Sequence, residues 1–177
     1  MNELQKGVQD WMRTFQQDTP EKPQILDEKT AKLRARLILE EALEIIQDGL
    51  GLTVHFVNIP SGQLVSSRSS KDLGFIFTNG GKPQNLALVL DGVADLGFVS
   101  EGTAVACGLD TEPAHREVLR SNLSKLWALD ELPLAPEDSV KTLVGERYLV
   151  KRLDGKVLKS PSYSEADIQS IVDEQLK

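Results

Sequence analysis

Two groups of acidic residues have the type and spacing to do chemistry. Glu40, Glu41 and Glu44, inside RARLILEEALEII (34–46), share one face of a helix at 100° per residue. Asp91 and Asp95, inside LALVLDGVADLGFV (86–99), are four apart and share a face of a second helix. If the two helices face each other, five carboxylates converge. Such oxygen-only density suits Mg²⁺ or Mn²⁺, hard cations that keep waters for substrate phosphates. Each group also has a plainer explanation. The glutamates fit a solvated stripe, since Arg34, Arg36, Gln47 and Asp48 fall in the same arc, although Leu33 and Leu37 lie there too. The aspartates fit ion pairs with Arg34, Arg36 or Arg120. Against that, Asp is a poor helix former, like charges four apart repel, and a buried carboxylate needs a cation, a proton or a metal. A di-iron bundle would want two Glu-x-x-His motifs, and only Glu112 to His115 qualifies, with Pro113 inside it.

These carboxylates need long helices to hold them. Residues 3–17 form a short amphipathic helix through Leu4, Val8, Trp11, Met12 and Phe15, and DTPEKPQ breaks it. Asp27 is an N-cap for a helix running to about Asp48, with Gly49 and Gly51 as stops. Residues 50–84 read as a mostly irregular insertion with β-prone pieces, LTVHFVN, QLVSS and GFIFTN, and room for a small hairpin. A second long helix fits Leu86 to Cys107 despite Gly92, Gly97 and Gly102, whose five-residue spacing places them on different sides. Another opens at Glu112 or Pro113 and runs to about Asp130. DELPLAPEDS is an exposed loop, RYLVKRLDGKVLKS a hairpin turning at Asp154-Gly155, and the chain closes with a short helix after Pro161. The expectation is one all-α domain over 1–177. It is an antiparallel bundle with a four-helix core, a β-prone insertion and a hairpin-like tail.

Totals narrow the function. The 177 residues carry a net charge of −7, which argues against nucleic-acid polymers as partners. One cysteine, Cys107, excludes an internal disulfide and any Cys-rich zinc site. MNELQKGVQDW has no secretory pattern, so the expected location is the cytoplasm. The most apolar run, Leu86 to Leu109, contains Asp91, Asp95 and Glu101, which speaks against a membrane span. P-loop and serine-elbow motifs are missing. Positive charge gathers late, at Arg116, Arg120, Lys125, Lys151, Arg152, Lys156 and Lys159, where it could hold polyphosphate oxygens. For any single one, a surface charge is the plainer reading. Asn122 could ligate a cation, donate to substrate or cap a turn; His55 and His115 read as structural or surface residues.

Glu40-Glu41-x-x-Glu44 followed by Asp91-x-x-x-Asp95 resembles the double acidic signature of the all-α NTP pyrophosphohydrolases, the MazG-like superfamily. DGVADLGFVSEGTAVACGLD, HREVLRSNLSKLW and KRLDGKVLKSPSYSEADI resemble its phosphoribosyl-ATP pyrophosphohydrolase-like subgroup. The resemblance implies a helical dimer, or a tetramer of dimers, that binds Mg²⁺ through the acidic motifs. It implies cleavage of nucleoside triphosphates between the α and β phosphates, giving monophosphate and pyrophosphate. Glu40, Glu41, Glu44 and Asp95 match metal ligands. Asp91 stands where the family often has Glu, in a frame that Gly92 shifts by one. Glu41 is the candidate base; Arg120, Asn122, Lys125, Lys156, Lys159 and Tyr163 are candidates for the substrate. The longer insertion departs from the family pattern. Three functions stay open at this point: cleaning of (d)NTP pools, including dUTP-type substrates; hydrolysis of phosphoribosyl-ATP in histidine biosynthesis; and a silent dimer that binds a nucleotide or partner.

Overall fold

The computed structural model describes residues 1–58 and 73–177, which form two compact units. The first, residues 3–20 and 24–107, contains both acidic motifs. Its helix α1 spans Glu3–Thr14 and buries Val8 and Met12 at four-residue spacing. Helix α2, Glu28–Glu44, starts where the Asp27 carboxylate accepts from Thr30 N at 2.9 Å. It then widens into a single π-helical segment, Ile45–Gly49. Helix α3, Leu86–Ala106, starts at Asn85, whose side chain accepts from Ala87 N at 3.0 Å.

Both α1 and α2 pack on α3. Val8, Met12, Val105 and Ala106 form the core there, flanked by Leu26 and Phe98. The Trp11 ring meets Phe98 edge-on at 5.2 Å. Helices α2 and α3 run antiparallel, and their glycines set how close they come. A Cβ on Gly92 would lie 2.6 Å from Ile45 Cγ1, and one on Gly102 would lie 3.1 Å from the Arg34 guanidinium. Gly92 and Gly102 both approach α2, whereas Gly97 meets Leu4 of α1, so the three glycines do not share one groove. Only the short side of a residue without a Cβ permits that approach.

The small hairpin for which residues 50–84 left room is formed, from the LTVHFVN and GFIFTN pieces. Strand β1, Leu52–Asn58, pairs antiparallel with β2, Leu73–Asn79, in the register Leu52↔Asn79. Runs rich in Val, Phe, Ile and Thr favour extended pairing, and the Phe56 and Phe75 rings stack edge-on at 5.6 Å across it. QLVSS lies outside the described residues.

The second unit takes in residues 1–2, 21–23 and 108–177. Helix α4 spans Glu112–Leu123, and a 3₁₀ turn covers Leu129–Leu134. Strands β3, Val140–Val144, and β4, Arg147–Lys151, form a second antiparallel pair, and α5 covers Ile168–Gln175. Trp127, Ala135 and Val150 are its core, with the Trp127 backbone bonded both ways to Tyr148 at 2.8 Å. The indole N–H donates to Leu158 O at 3.2 Å. The helix ends at Leu123, well before Asp130, and Trp127 instead bridges to Tyr148 of β4. DELPLAPEDS is likewise not a plain exposed loop, since it folds into the 3₁₀ turn that delivers Ala135 to the core.

The hairpin expected at Asp154-Gly155 turns earlier, at Gly145-Glu146, where Gly145 adopts φ +61°. Gly155 does turn the chain, at φ +86°, but a single bridge, Lys151↔Val157, follows it. These two hairpins correct the expectation of an all-α four-helix bundle. The molecule is largely helical, with two small antiparallel sheets. Among the described residues no helix is long and apolar enough to cross a membrane.

Candidate metal centre

Helix α2 presents Glu40, Glu41 and Glu44 in its last turns. Glu41 is half-buried on the side that packs against α3, whereas Glu40 and Glu44 are exposed. Asp91 and Asp95 lie in the first half of α3 and are exposed as well. Their exposure corrects an assumption. An almost wholly apolar helix suggested buried aspartates, yet the same stretch leaves Leu86 82% and Leu90 71% exposed.

The five carboxylates nevertheless act on one another. The Glu41 carboxyl is pushed above its ordinary range, first by loss of solvent and then by the charges of Glu44, Asp95, Glu40 and Asp91. Residues from two helices thus share one field. The arginines that might have neutralised the aspartates are committed elsewhere. Arg36 Nε donates to Glu40 Oε1 at 2.7 Å, Arg34 Nη2 to Gln17 Oε1 at 3.0 Å, and Arg120 to Glu117. Among the described residues, no three His, Cys, Asp or Glu side chains already stand closed around one point. The donor set fits a hard divalent cation by its chemistry: it is oxygen only and carries excess negative charge. Four of its members stand in solvent, with room to change rotamer.

The other candidate residues belong to the second unit and are largely engaged within it. Arg120 holds Glu117 through Nε and Nη2, both at 2.7 Å, and reaches Ser164 Oγ at 3.2 Å and Glu165 O at 3.0 Å. Glu117 also accepts from Asp167 N at 2.9 Å, and these bonds, Arg120 first, hold its carboxyl down at about 2. Arg120 therefore clamps the segment after Pro161 onto α4. Lys125 Nζ donates to Asn122 Oδ1 at 2.6 Å. Lys159 Nζ sits 4.1 Å over the Tyr163 ring, and Ser121 Oγ donates to the Tyr163 hydroxyl at 3.3 Å. The Ser121 bond, ahead of the nearby Lys159 charge, lowers the Tyr163 pKa. Lys156 closes the Asp154-Gly155 turn, its amide donating to Asp154 Oδ1 at 3.1 Å. Sequence reasoning missed Glu117 as the partner of Arg120, though the three-residue spacing was visible.

The family model described as phosphoribosyl-ATP pyrophosphohydrolase matches residues 8–122, well over half of the chain. The chain belongs to the phosphoribosyl-ATP pyrophosphohydrolase family. That family is part of the MazG-like all-α NTP pyrophosphohydrolase superfamily, so this is a pyrophosphohydrolase acting on acid anhydrides. The matched region includes all five carboxylates, Arg120 and Asn122, and stops before Lys125, Lys156, Lys159 and Tyr163. No curated protein matches the chain.

Proposed function

We propose that the protein is an Mg²⁺-dependent nucleoside triphosphate pyrophosphohydrolase that releases a monophosphate and pyrophosphate, with Mn²⁺ as an alternative ion. The observation that carries this is the mutual repulsion of Glu41 with Glu40, Glu44, Asp91 and Asp95 on two antiparallel helices of a pyrophosphohydrolase family member. Glu40, Glu44, Asp91 and Asp95 are the groups to hold the ion, with Glu41 beside them. When bound, Mg²⁺ supplies neutralisation of the triphosphate and a lowered water pKa. Glu41, half-buried between the helices, accepts the proton of the water that attacks the α phosphorus. Charge stabilisation and in-line positioning then suffice, without a covalent intermediate on the protein.

The exposed apolar face around Asp91, with Leu86, Leu90 and Val93, supports a homodimer or a higher assembly in which a second copy covers it. Lys125, Lys156, Lys159 and Tyr163 remain the polar groups proposed for the nucleotide, in a cytoplasmic enzyme that cleans (d)NTP pools. The family match favours a second substrate, phosphoribosyl-ATP. Turnover of NTPs, dNTPs and phosphoribosyl-ATP with Mg²⁺ or Mn²⁺, with products resolved by anion exchange, tests both. Monophosphate plus pyrophosphate, lost with EDTA, is expected; products that persist in EDTA would refute the metal centre.

A further inference from the structure

Arg34 is the buried residue of α2, only 8% exposed, and its guanidinium is incompletely bonded. Nη2 donates to Gln17 Oε1 at 3.0 Å and to Met12 Sδ at 3.8 Å, whereas Nε is buried with no partner. The Nε–Nη2 edge, which pairs with two oxygens at once in a carboxylate fork, therefore holds a single oxygen. Both acceptors are also neutral. Burial lowers the Arg34 pKa, and the Cys107 thiol is the single opposing influence. A guanidinium out of water, with neither a full set of acceptors nor a countercharge, is costly.

Arg34 lines a cavity of about 780 Å³, within the size range of small-molecule sites. Leu26, Leu33 and Ala106 give it apolar walls, and Gln17 and Gln24 add amides. Around the buried guanidinium the other charges already answer one another. Lys32 pairs with Glu28 and Arg36 with Glu40, while Lys29 stands among two acids, Asp18 and Asp27, and acts on the second. Such a rim holds no surplus of positive charge for a multiply charged anion. The chemistry asked for is one planar, singly charged group on an apolar body.

We propose that this cavity is a binding site, separate from the carboxylate cluster, for a small monocarboxylic acid with an apolar body, whose carboxylate takes the place of the Gln17 amide on Arg34. Two coplanar oxygens satisfy Nη2 and Nε together and bring the missing countercharge. Gln17 is exposed, so its side chain has room to swing aside and turn its amide N–H groups towards the incoming carboxylate. The apolar body then lies against Leu26, Leu33 and Ala106. The lining contains none of Glu40, Glu41, Glu44, Asp91 and Asp95. Occupancy therefore needs no divalent ion, and it does not rest on the pyrophosphohydrolase reading.

The test is made in EDTA on the full-length protein. Hexanoate and its neutral counterpart hexanamide are titrated in, with Kd from calorimetry and amide shifts from NMR. Hexanoate is expected to bind roughly tenfold or more tightly than hexanamide, shifting the amides of Gln17, Leu26, Arg34 and Ala106. Equal affinities, or shifts confined to other residues, overturn the site. Hexyl phosphate, with more charge on the same body, is expected to bind no more tightly than hexanoate; tighter binding overturns the choice of a carboxylate. Gln17→Glu builds the missing carboxylate into the chain, and is expected to raise Tm and to weaken hexanoate by about tenfold or more. A lowered Tm, or an unchanged hexanoate affinity, refutes the pairing with Arg34. Arg34→Met is expected to reduce hexanoate to the affinity of hexanamide, and Gln17→Glu probes the same edge if Arg34→Met does not fold. Glu44→Gln leaves hexanoate binding unchanged, so a failure of the metal centre and a failure of the cavity are separable.

Discussion

The carboxylates of α2 and α3 and the polar cluster of α4 with the segment after it differ in how their charge is used. Around Glu117 the charges are paired or capped: Glu117 with Arg120, and Asp167 with Ser170. Arg120 forks onto the carboxylate, a backbone amide completes it, and the rest of the guanidinium ties down the residues around Ser164. Around Glu41 the charges accumulate. Burial, then the charges of Glu44, Asp95, Glu40 and Asp91, raise its pKa, and among the described residues only Glu40 of the five takes an arginine. A region that closes its own charge holds a fold together. A region that leaves charge of one sign open is prepared for something from outside.

The largest effect should come from neutralising a member of the open cluster. Glu44→Gln and Asp95→Asn are expected to fold as the wild type does, by circular dichroism, and to lose metal-dependent turnover by about a hundredfold or more. Full activity in either variant would erase the contrast between the two regions. Next comes the ion itself. Adding millimolar Mg²⁺ to EDTA-treated protein should raise Tm, since an ion that binds only the native state stabilises it, and Glu44→Gln should blunt that shift. A Tm indifferent to Mg²⁺ would make the cluster a solvated stripe.

Breaking the closed region should act on stability and not on metal response. Arg120→Ala is expected to lower Tm modestly and to expose the bonds near Ser164 to limited proteolysis, with the Mg²⁺-induced shift retained. Loss of that shift would mean that Arg120 serves the metal site after all.

The smallest expected effects are opposite pH dependences. Glu117 has a folded pKa of about 2, below its ordinary 4.5, so its contribution is complete above 4.5 and is lost as pH falls from there towards 2. Glu41 has a folded pKa above its ordinary 4.5, so the native state binds the extra proton. Its contribution is present below 4.5 and is lost as pH rises through the raised folded value. Tm against pH in EDTA should therefore show Glu117→Gln flattening the acid limb and Glu41→Gln flattening the decline above it. The same slope in both variants would contradict the assignment.

Much of the helical layout was legible because its signals are local. Asp27 capped α2 as its side chain allows, Gly49 stands at the end of the widened segment, and spacing put Glu40, Glu41 and Glu44 on one face and Asp91 and Asp95 on another, with the meeting of those faces left as a condition. The failures share a cause, which is that distant contacts decided them. The apolar run of α3 was read as burial, but its first half meets solvent in the single chain. Asp154-Gly155 is the stronger turn signal, yet β4 pairs backward with β3 because Val150 and Tyr148 pack on Trp127. Arg34 looked like one more exposed cation of α2. Its burial follows from Gly102 and from Met12 on α1, neither of which its own sequence neighbourhood reveals.

The contact of Gly92 with Ile45 acts as a fixed jaw. The gap between α2 and α3 is set by bare backbone against an isoleucine, one turn from Glu41 and close to Asp95, before any ion arrives. In the proposed metal centre, a hydrocarbon contact that touches neither ion nor substrate would then set the size of cation the carboxylates can share. A methyl group added at Gly92 would wedge the jaw open, and the wider mouth would favour larger ions over Mg²⁺ with every ligand still in place.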